Sequence, residues 1–182
     1  YTHGLIVKAN SRTDKSIDTY MPAPVQLIAS WLLLNVDSQK GWAASLGQKI
    51  WTPRDITEPD EQQNDRPYAG LLFIEARLFE YSPILSNKYS LMLGGIGPKA
   101  LAKNSQVAVH RVIGAAKPQG WQQQLDNQFV FSFTYERQTV LWRSSVSHNQ
   151  QYDLSFAGHA NLGNFQNEVA IATTLRWGRQ LE

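Results

Sequence analysis

The sequence predicts an all-β protein: an antiparallel up-and-down β-barrel with short helices in its loops, forming one domain over residues 1–182. Three observations predict it. Apolar and polar residues alternate with a period of two along much of the chain, the repeat of a strand whose side chains point to opposite faces. Segments of this kind number about eight, a common count for a small barrel. Aromatic residues gather near their ends, at Trp51, Tyr68, Tyr81, Tyr89, Tyr135, Trp142, Tyr152 and Trp177. Outer-membrane barrels carry such girdles around their apolar band.

Taken in order, the first strand is expected over Gly4–Ala9. Pro24–Asn35 breaks the rhythm, because Val25, Ile28, Ala29 and Leu32 fall at helical spacing and Pro24 suits a first turn. The second strand ends at Trp51. Trp42, Ala44, Leu46 and Ile50 lie on one face, Ser45, Gly47 and Lys49 on the other, with Gln48 interrupting the apolar side. Further strands are expected at Gly70–Tyr81 and Lys88–Ile96. Pro98–Gly114 is the second helical stretch, with Gly114 suited to its C-terminal cap.

The cleanest alternation is Asn127–Arg137. Phe129, Phe131, Phe133 and Tyr135 share one face; Gln128, Ser132, Thr134 and Glu136 share the other, joined by Val130. Thr139–Ser144 reads as a separate strand. Two more follow, with Tyr152, Leu154 and Phe156 on one apolar face and Val169, Ile171, Leu175 and Trp177 on the next.

Composition narrows the classes. A net charge of +2 without any long Lys or Arg block gives no footprint for nucleic acid. The absence of cysteine removes disulfides and thiolate metal sites. No run of about 18 apolar residues offers a transmembrane helix. A mean hydropathy of −0.36 suits a soluble protein, yet membrane barrels hide their apolar surface by alternation and score this way too. The pattern alone fits an outer-membrane barrel and a soluble sandwich or lipocalin-like barrel equally.

If successive strands run antiparallel, three polar segments fall at one end of the sheet. They are Tyr1-Thr2-His3-Gly4, the loop Asn64-Asp65-Arg66-Pro67-Tyr68-Ala69-Gly70, and Gln106-Val107-Ala108-Val109-His110-Arg111. Gln106 and His110, four apart, project from one helix face. A hydroxyl, an ion-pairing couple and a histidine at one end look like an acyl-transfer site. Histidine is the usual base for such chemistry because it titrates near neutrality. Asp60, Glu61 and Asp65 are oxygen donors near that end, but no metal ligand is assigned. The four histidines lack the spacing of a zinc HExxH motif, and there is no G-x-S-x-G elbow. Asp65 is expected to fix its loop. Arg66, Arg111 and Lys117 are candidate phosphate contacts.

These segments resemble the outer-membrane lipid A 3′-O-deacylases of Gram-negative bacteria, the LpxR family. Matching stretches are Tyr1-Thr2-His3-Gly4, Trp51-Thr52-Pro53, Asp65–Gly70, and His110-Arg111-Val112-Ile113-Gly114 followed by Lys117, Trp121, Gln124 and Asn127. The resemblance implies a twelve-stranded barrel in the outer membrane that hydrolyses an ester-linked acyloxyacyl group from lipid A, as a monomer acting on lipopolysaccharide with calcium required. His110 matches the family's catalytic histidine, and Gln106 and Thr2 match active-site positions. Two departures stand out. The family's Asn-Asp pair precedes the position of Tyr1, and a glutamate six residues after the histidine is Ala116 here. The stretch is therefore expected to lack the first and last strands of the family's barrel. The rival expectations are a catalytically decayed or non-enzymatic lipid-binding barrel and a soluble lipid-binding barrel.

Overall fold

The computed structural model describes residues 3–11, 27, 32, 38–147 and 150–179. Among them seven strands follow one another: β1 (His3–Asn10), β2 (Gln39–Trp51), β3 (Ala69–Tyr81), β4 (Leu85–Ile96), β5 (Gln128–Ser147), β6 (Gln150–Gly163) and β7 (Glu168–Gly178). They neighbour one another in sequence order in a single antiparallel, up-and-down sheet, with β1 and β7 at its edges. Apart from Leu27 and Leu32, the expected helix over Pro24–Asn35 lies outside the described residues, as does Thr2.

Seven strands replace the expected eight because Asn127–Arg137 and Thr139–Ser144 are one 20-residue strand. Nothing at Gln138 turns the chain. Its backbone stays paired with Ala157, and its Nε2 donates to Ser155 Oγ at 3.2 Å. The irregularity falls later, as a bulge between Val140 and Trp142. One extra residue opposite the partner strand leaves the ladder running but shifts which residues share a face.

The alternation is inverted relative to a water-soluble sheet. On β2, Ser45 is 6% exposed while the adjacent Leu46 is 54% exposed. On β5, Ser132 is buried while Phe129 is 64% exposed, and Phe131 and Phe133 are exposed beside it. On β6, Ser155 is buried and Phe156 exposed. In water, exposing large apolar side chains while burying small polar ones is unfavourable at roughly 25 cal/mol per Å² of apolar surface. A bilayer reverses the preference, since lipid-facing residues of a barrel alternate with polar interior ones. No described helix is long and apolar enough to cross a membrane.

The chain divides into two compact units. The first comprises Tyr1–Lys8, Ser45–Glu75 and Met92–Phe131. It holds the long connections between β2 and β3 and between β4 and β5, and the helix in the latter. Within it, Ile50, Tyr68, Ala102 and Trp121 form one apolar cluster.

The second unit comprises Ala9–Ala44, Ala76–Leu91 and Ser132–Glu182. A tight β3–β4 hairpin closes through mutual backbone hydrogen bonds between Ser82 and Leu85. Beside an apolar cluster in which Trp42 and Tyr89 pack on Leu78, the unit buries polar groups. The Glu80 carboxylate accepts from Ser38 Oγ at 3.1 Å and from Asn87 Nδ2, and Asn87 Oδ1 accepts from Tyr135 at 3.1 Å. Asp153, fully buried, is clasped by Arg176, whose Nε lies 2.8 Å away, and by Arg143 at 3.3 Å. Lys88 and His159 both approach Glu136, at 3.3 and 3.7 Å.

Candidate functional site

The expected Pro98–Gly114 helix is built in two pieces. A 3₁₀ turn over Pro98–Ala100 ends at Leu101, whose φ of 58° lies in the left-handed region, and α1 (Ala102–Ile113) follows. Leu101 serves as its N-cap without a side-chain cap bond. At the other end Gly114, at φ 67°, supplies the left-handed cap that glycine adopts without steric cost, and the Ala115 N–H closes on the His110 carbonyl at 2.9 Å.

α1 sits directly on the sheet because Gly70 has no side chain. A Cβ there would lie 2.3 Å from the Ala102 Cβ. Two further bonds lock this end of the helix. Gln48 Nε2 donates to the Ala100 carbonyl at 2.6 Å, and the Gly97 N–H to the Gly70 carbonyl at 3.0 Å.

The buried side chains of α1 are Ala102, Gln106 and His110, a run of i, i+4, i+8 that defines one inward stripe. The two polar members of that stripe are the two residues that the spacing singled out. His110 Nδ1 lies 2.6 Å from the Ala116 carbonyl oxygen. A carbonyl only accepts, so Nδ1 carries the proton and Nε2 is the basic nitrogen of the neutral ring. The main chain at 116 thus orients the imidazole whatever side chain stands there.

Gln106 meets Trp121. The indole Nε1–H donates to Gln106 Oε1 at 2.8 Å, while Gln106 Nε2 is buried and has no partner among the described residues. Trp121 in turn packs on Tyr68, ring centroids 4.8 Å apart. Burial pushes the Tyr68 phenol pKa up, so the phenol stays protonated and donates to the Ile56 carbonyl at 3.1 Å. The Gln119 N–H reaches the same Ile56 carbonyl, and the Leu125 N–H reaches that of Tyr68. Residues 115–127 are therefore laced to the 52–68 loop.

That loop is organised by Asp65. Its carboxylate accepts the backbone N–H groups of Arg54 and Arg66, each at 2.7 Å. Those bonds, Arg54's first and Arg66's second, hold its pKa below the ordinary carboxylate range. The expected structural role of Asp65 matches these contacts. Asp55 is likewise lowered, chiefly by the Thr57 hydroxyl and then by the Thr57 N–H.

Of the residues singled out from sequence, α1 brings Gln106 and His110 together. Arg66, Arg111 and Lys117 are exposed and make no ion pair among the described residues. Trp121 and Tyr68 were the pieces missed as site residues. A lone tryptophan within the glutamine-rich Gly120–Gln124 segment was the available signal, since a buried indole needs an acceptor.

No three acidic or histidine side chains converge on a possible metal position among the described residues. No described side chain is therefore assigned to the calcium that the family resemblance implies.

Long connections and a helix at one set of strand ends, with inverted alternation along the strands, define a membrane β-barrel whose loops carry a polar site. The chain belongs to the family described as outer membrane protein LpxR, whose model matches residues 1–182, and its location is the outer membrane. No curated protein matches the chain. Among solved structures, LpxR from Salmonella typhimurium is similar, with a TM-score of 0.71 at 17% identity. The match covers 97% of this chain and 52% of that one, so this chain spans about half of that protein's length.

Proposed function

We propose that the chain belongs to an outer-membrane hydrolase that removes an ester-linked acyl or acyloxyacyl chain from lipid A. The observation that carries this is the buried Gln106–His110 stripe, with the His110 ring held through Nδ1 by the Ala116 carbonyl. Family membership and the exposed apolar strand faces supply the context. His110 Nε2 takes a proton from water as the water oxygen bonds to the ester carbonyl carbon. The tetrahedral intermediate then collapses, the bond to the alcohol oxygen breaks, and the imidazolium returns the proton to that oxygen. Gln106 and Thr2 position the water or the ester. Arg66, Arg111 and Lys117 face the phosphates of lipopolysaccharide, and the protein acts as a monomer.

Calcium is what the family resemblance implies as the cation, and it would polarise the ester carbonyl. The rival reading, a barrel that binds lipid A without turnover, is favoured by one residue, Ala116, where the family carries a glutamate.

Acyl release from purified lipid A by the complete protein in detergent, with and without chelator, tests both. Release that stops in excess chelator and returns with calcium supports a calcium-dependent hydrolase. Binding of lipid A without release would decide for the rival.

A further inference from the structure

Gln106 carries an asymmetry that its place on α1 does not explain. A primary amide offers an oxygen that accepts and a nitrogen that donates twice, and their positions can be exchanged by a half-turn of the side chain. In this protein the exchange is forbidden by Trp121. An indole Nε1–H is a donor only, and it lies 2.8 Å from Gln106 Oε1. Rotating the amide would set its NH₂ against the indole N–H, two donors face to face in a buried position. The Gln106 carbonyl oxygen is therefore committed to Trp121, and its NH₂ is directed away from the indole.

That NH₂ group is buried and has no acceptor among the described residues. Buried donors are rarely left so, because an unsatisfied one loses the hydrogen bonds it made to water. Gln106 itself is 1% exposed, and His110 lies one turn further along the same buried stripe. An unused pair of N–H donors beside a histidine base is suited to an oxygen that becomes more negative during reaction.

We propose that Trp121 is a positioning residue: its indole N–H fixes the Gln106 amide so that the NH₂, rather than the carbonyl, meets the ester oxygen of the substrate. This rests on the hydrolase reading above. Trp121 is itself held by the tilted Tyr68 ring and by the apolar cluster with Ile50 and Ala102. Gln124 Nε2 donates to its carbonyl at 3.0 Å. The segment from Gly120 to Gln124 thus acts on the ester through one hydrogen bond.

The test is a double-mutant cycle in the complete protein folded in detergent. Trp121→Phe keeps an aromatic ring against Tyr68 but removes the donor. It should lower kcat about 5–10-fold, the worth of one neutral hydrogen bond, with KM little changed. In a Gln106→Ala background the same substitution should change kcat by less than about twofold. Gln106→Glu still accepts from the indole but has no N–H to offer, so it should fold yet lose activity at least as far as Trp121→Phe. Exchange of the Trp121 indole N–H supplies a readout independent of turnover. It should be slow in the native protein and in Gln106→Glu, and fast in Gln106→Ala.

An equal loss from Trp121→Phe in both backgrounds would make Trp121 a packing residue and overturn the proposal, as would indole exchange indifferent to Gln106→Ala. A native protein with a protected indole and no acyl release would remove the hydrolase reading, and the positioning role with it. Native activity left intact by Trp121→Phe would remove the positioning role alone.

Discussion

Buried polar groups in the two units are satisfied to different degrees, although each unit also holds other buried polar atoms without a partner among the described residues, Ser45 Oγ in the first and Trp42 Nε1 and Arg143 Nε in the second. In the second, Glu80 and Asp153 are buried carboxylates with donors on both oxygens: Ser38 and Asn87 on one, Arg143 and Arg176 on the other. In the first, Gln106 is as deeply buried but among the described residues is satisfied only at its oxygen, and the histidine one turn away has its Nδ1 held by the Ala116 carbonyl. Buried networks that close on themselves rigidify a fold, whereas one left open at a defined atom keeps hydrogen-bonding capacity for something that arrives later. The contrast between these groups assigns structure to the Glu80 and Asp153 carboxylates and chemistry to the Gln106–His110 stripe of α1. It can be broken by substitutions on either side.

The largest effect is expected at His110. His110→Asn keeps a polar side chain that can still donate to the Ala116 carbonyl but cannot take a proton at neutral pH. Losing a general base costs about 10²–10⁴-fold in turnover. Acyl release should fall by that factor, while the folded species, followed by gel mobility before and after heating, persists. Gln106→Ala should cost less. A folded His110→Asn protein with near-native release would move the chemistry out of α1 altogether.

A charge on an exposed strand face should come next, now in stability. Phe131 lies on the apolar face of β5 and is exposed. Phe131→Arg should cost about 2–4 kcal/mol if the position sits near the bilayer midplane, and less toward an interface. The measurement is denaturant unfolding in lipid vesicles. A neutral result there, paired with a large loss for Ser132→Arg, would exchange the two faces.

Asp153→Ala should be milder. It strips two guanidinium groups of their shared carboxylate, but Arg143 and Arg176 keep side-chain exposures of 27% and 38%. Solvent can therefore reach the orphaned donors, and a cost of about 1–3 kcal/mol is expected, at the level of an unsatisfied buried group. Replacing Arg143 and Arg176 in the Asp153→Ala background should cost little more. Strictly additive losses would mean that the three do not act as one cluster.

Much of this was legible in the residues. Alternation around Phe129–Tyr135 gave the strand and its faces, and the spacing of Gln106 and His110 gave the helix stripe. Gly114 marked the helix end. The sequence reading failed where local pattern is silent. Gln138 separates two alternating runs without any residue that turns a chain, so the strand break expected there is absent and β5 runs on through it. Leu101 in a left-handed conformation could not be foreseen, because leucine rarely adopts it. Trp121 was visible as a letter, but its bond to Gln106 spans 15 residues and depends on how residues 115–127 fold back. Periodicity carries no information about such a contact.

The smallest effect concerns the loop that supports the site rather than the site itself. Asp65 gathers the Arg54 and Arg66 N–H groups, and its folded pKa lies below the ordinary value of 3.8. A group depressed on folding contributes stability that is fully present above its unfolded pKa and is lost as pH falls through the folded one. The 52–68 loop should therefore hold at neutral pH and loosen only below about pH 4, the ordinary carboxylate range. Asp65→Asn presents one oxygen instead of two, so one of the two N–H groups would face an NH₂. That variant should be looser already at neutral pH and should respond less to acid. Some response should survive, because Asp55 is depressed independently by Thr57. Cleavage within the loop by an acid-tolerant protease, followed from about pH 5 to pH 2, reads this directly. The native rate should rise steeply through that interval and the Asp65→Asn rate should start higher and rise less. Identical pH profiles for the two proteins would mean that the carboxylate does not hold the loop, leaving its anchoring to the Tyr68–Ile56 and Gln119–Ile56 bonds.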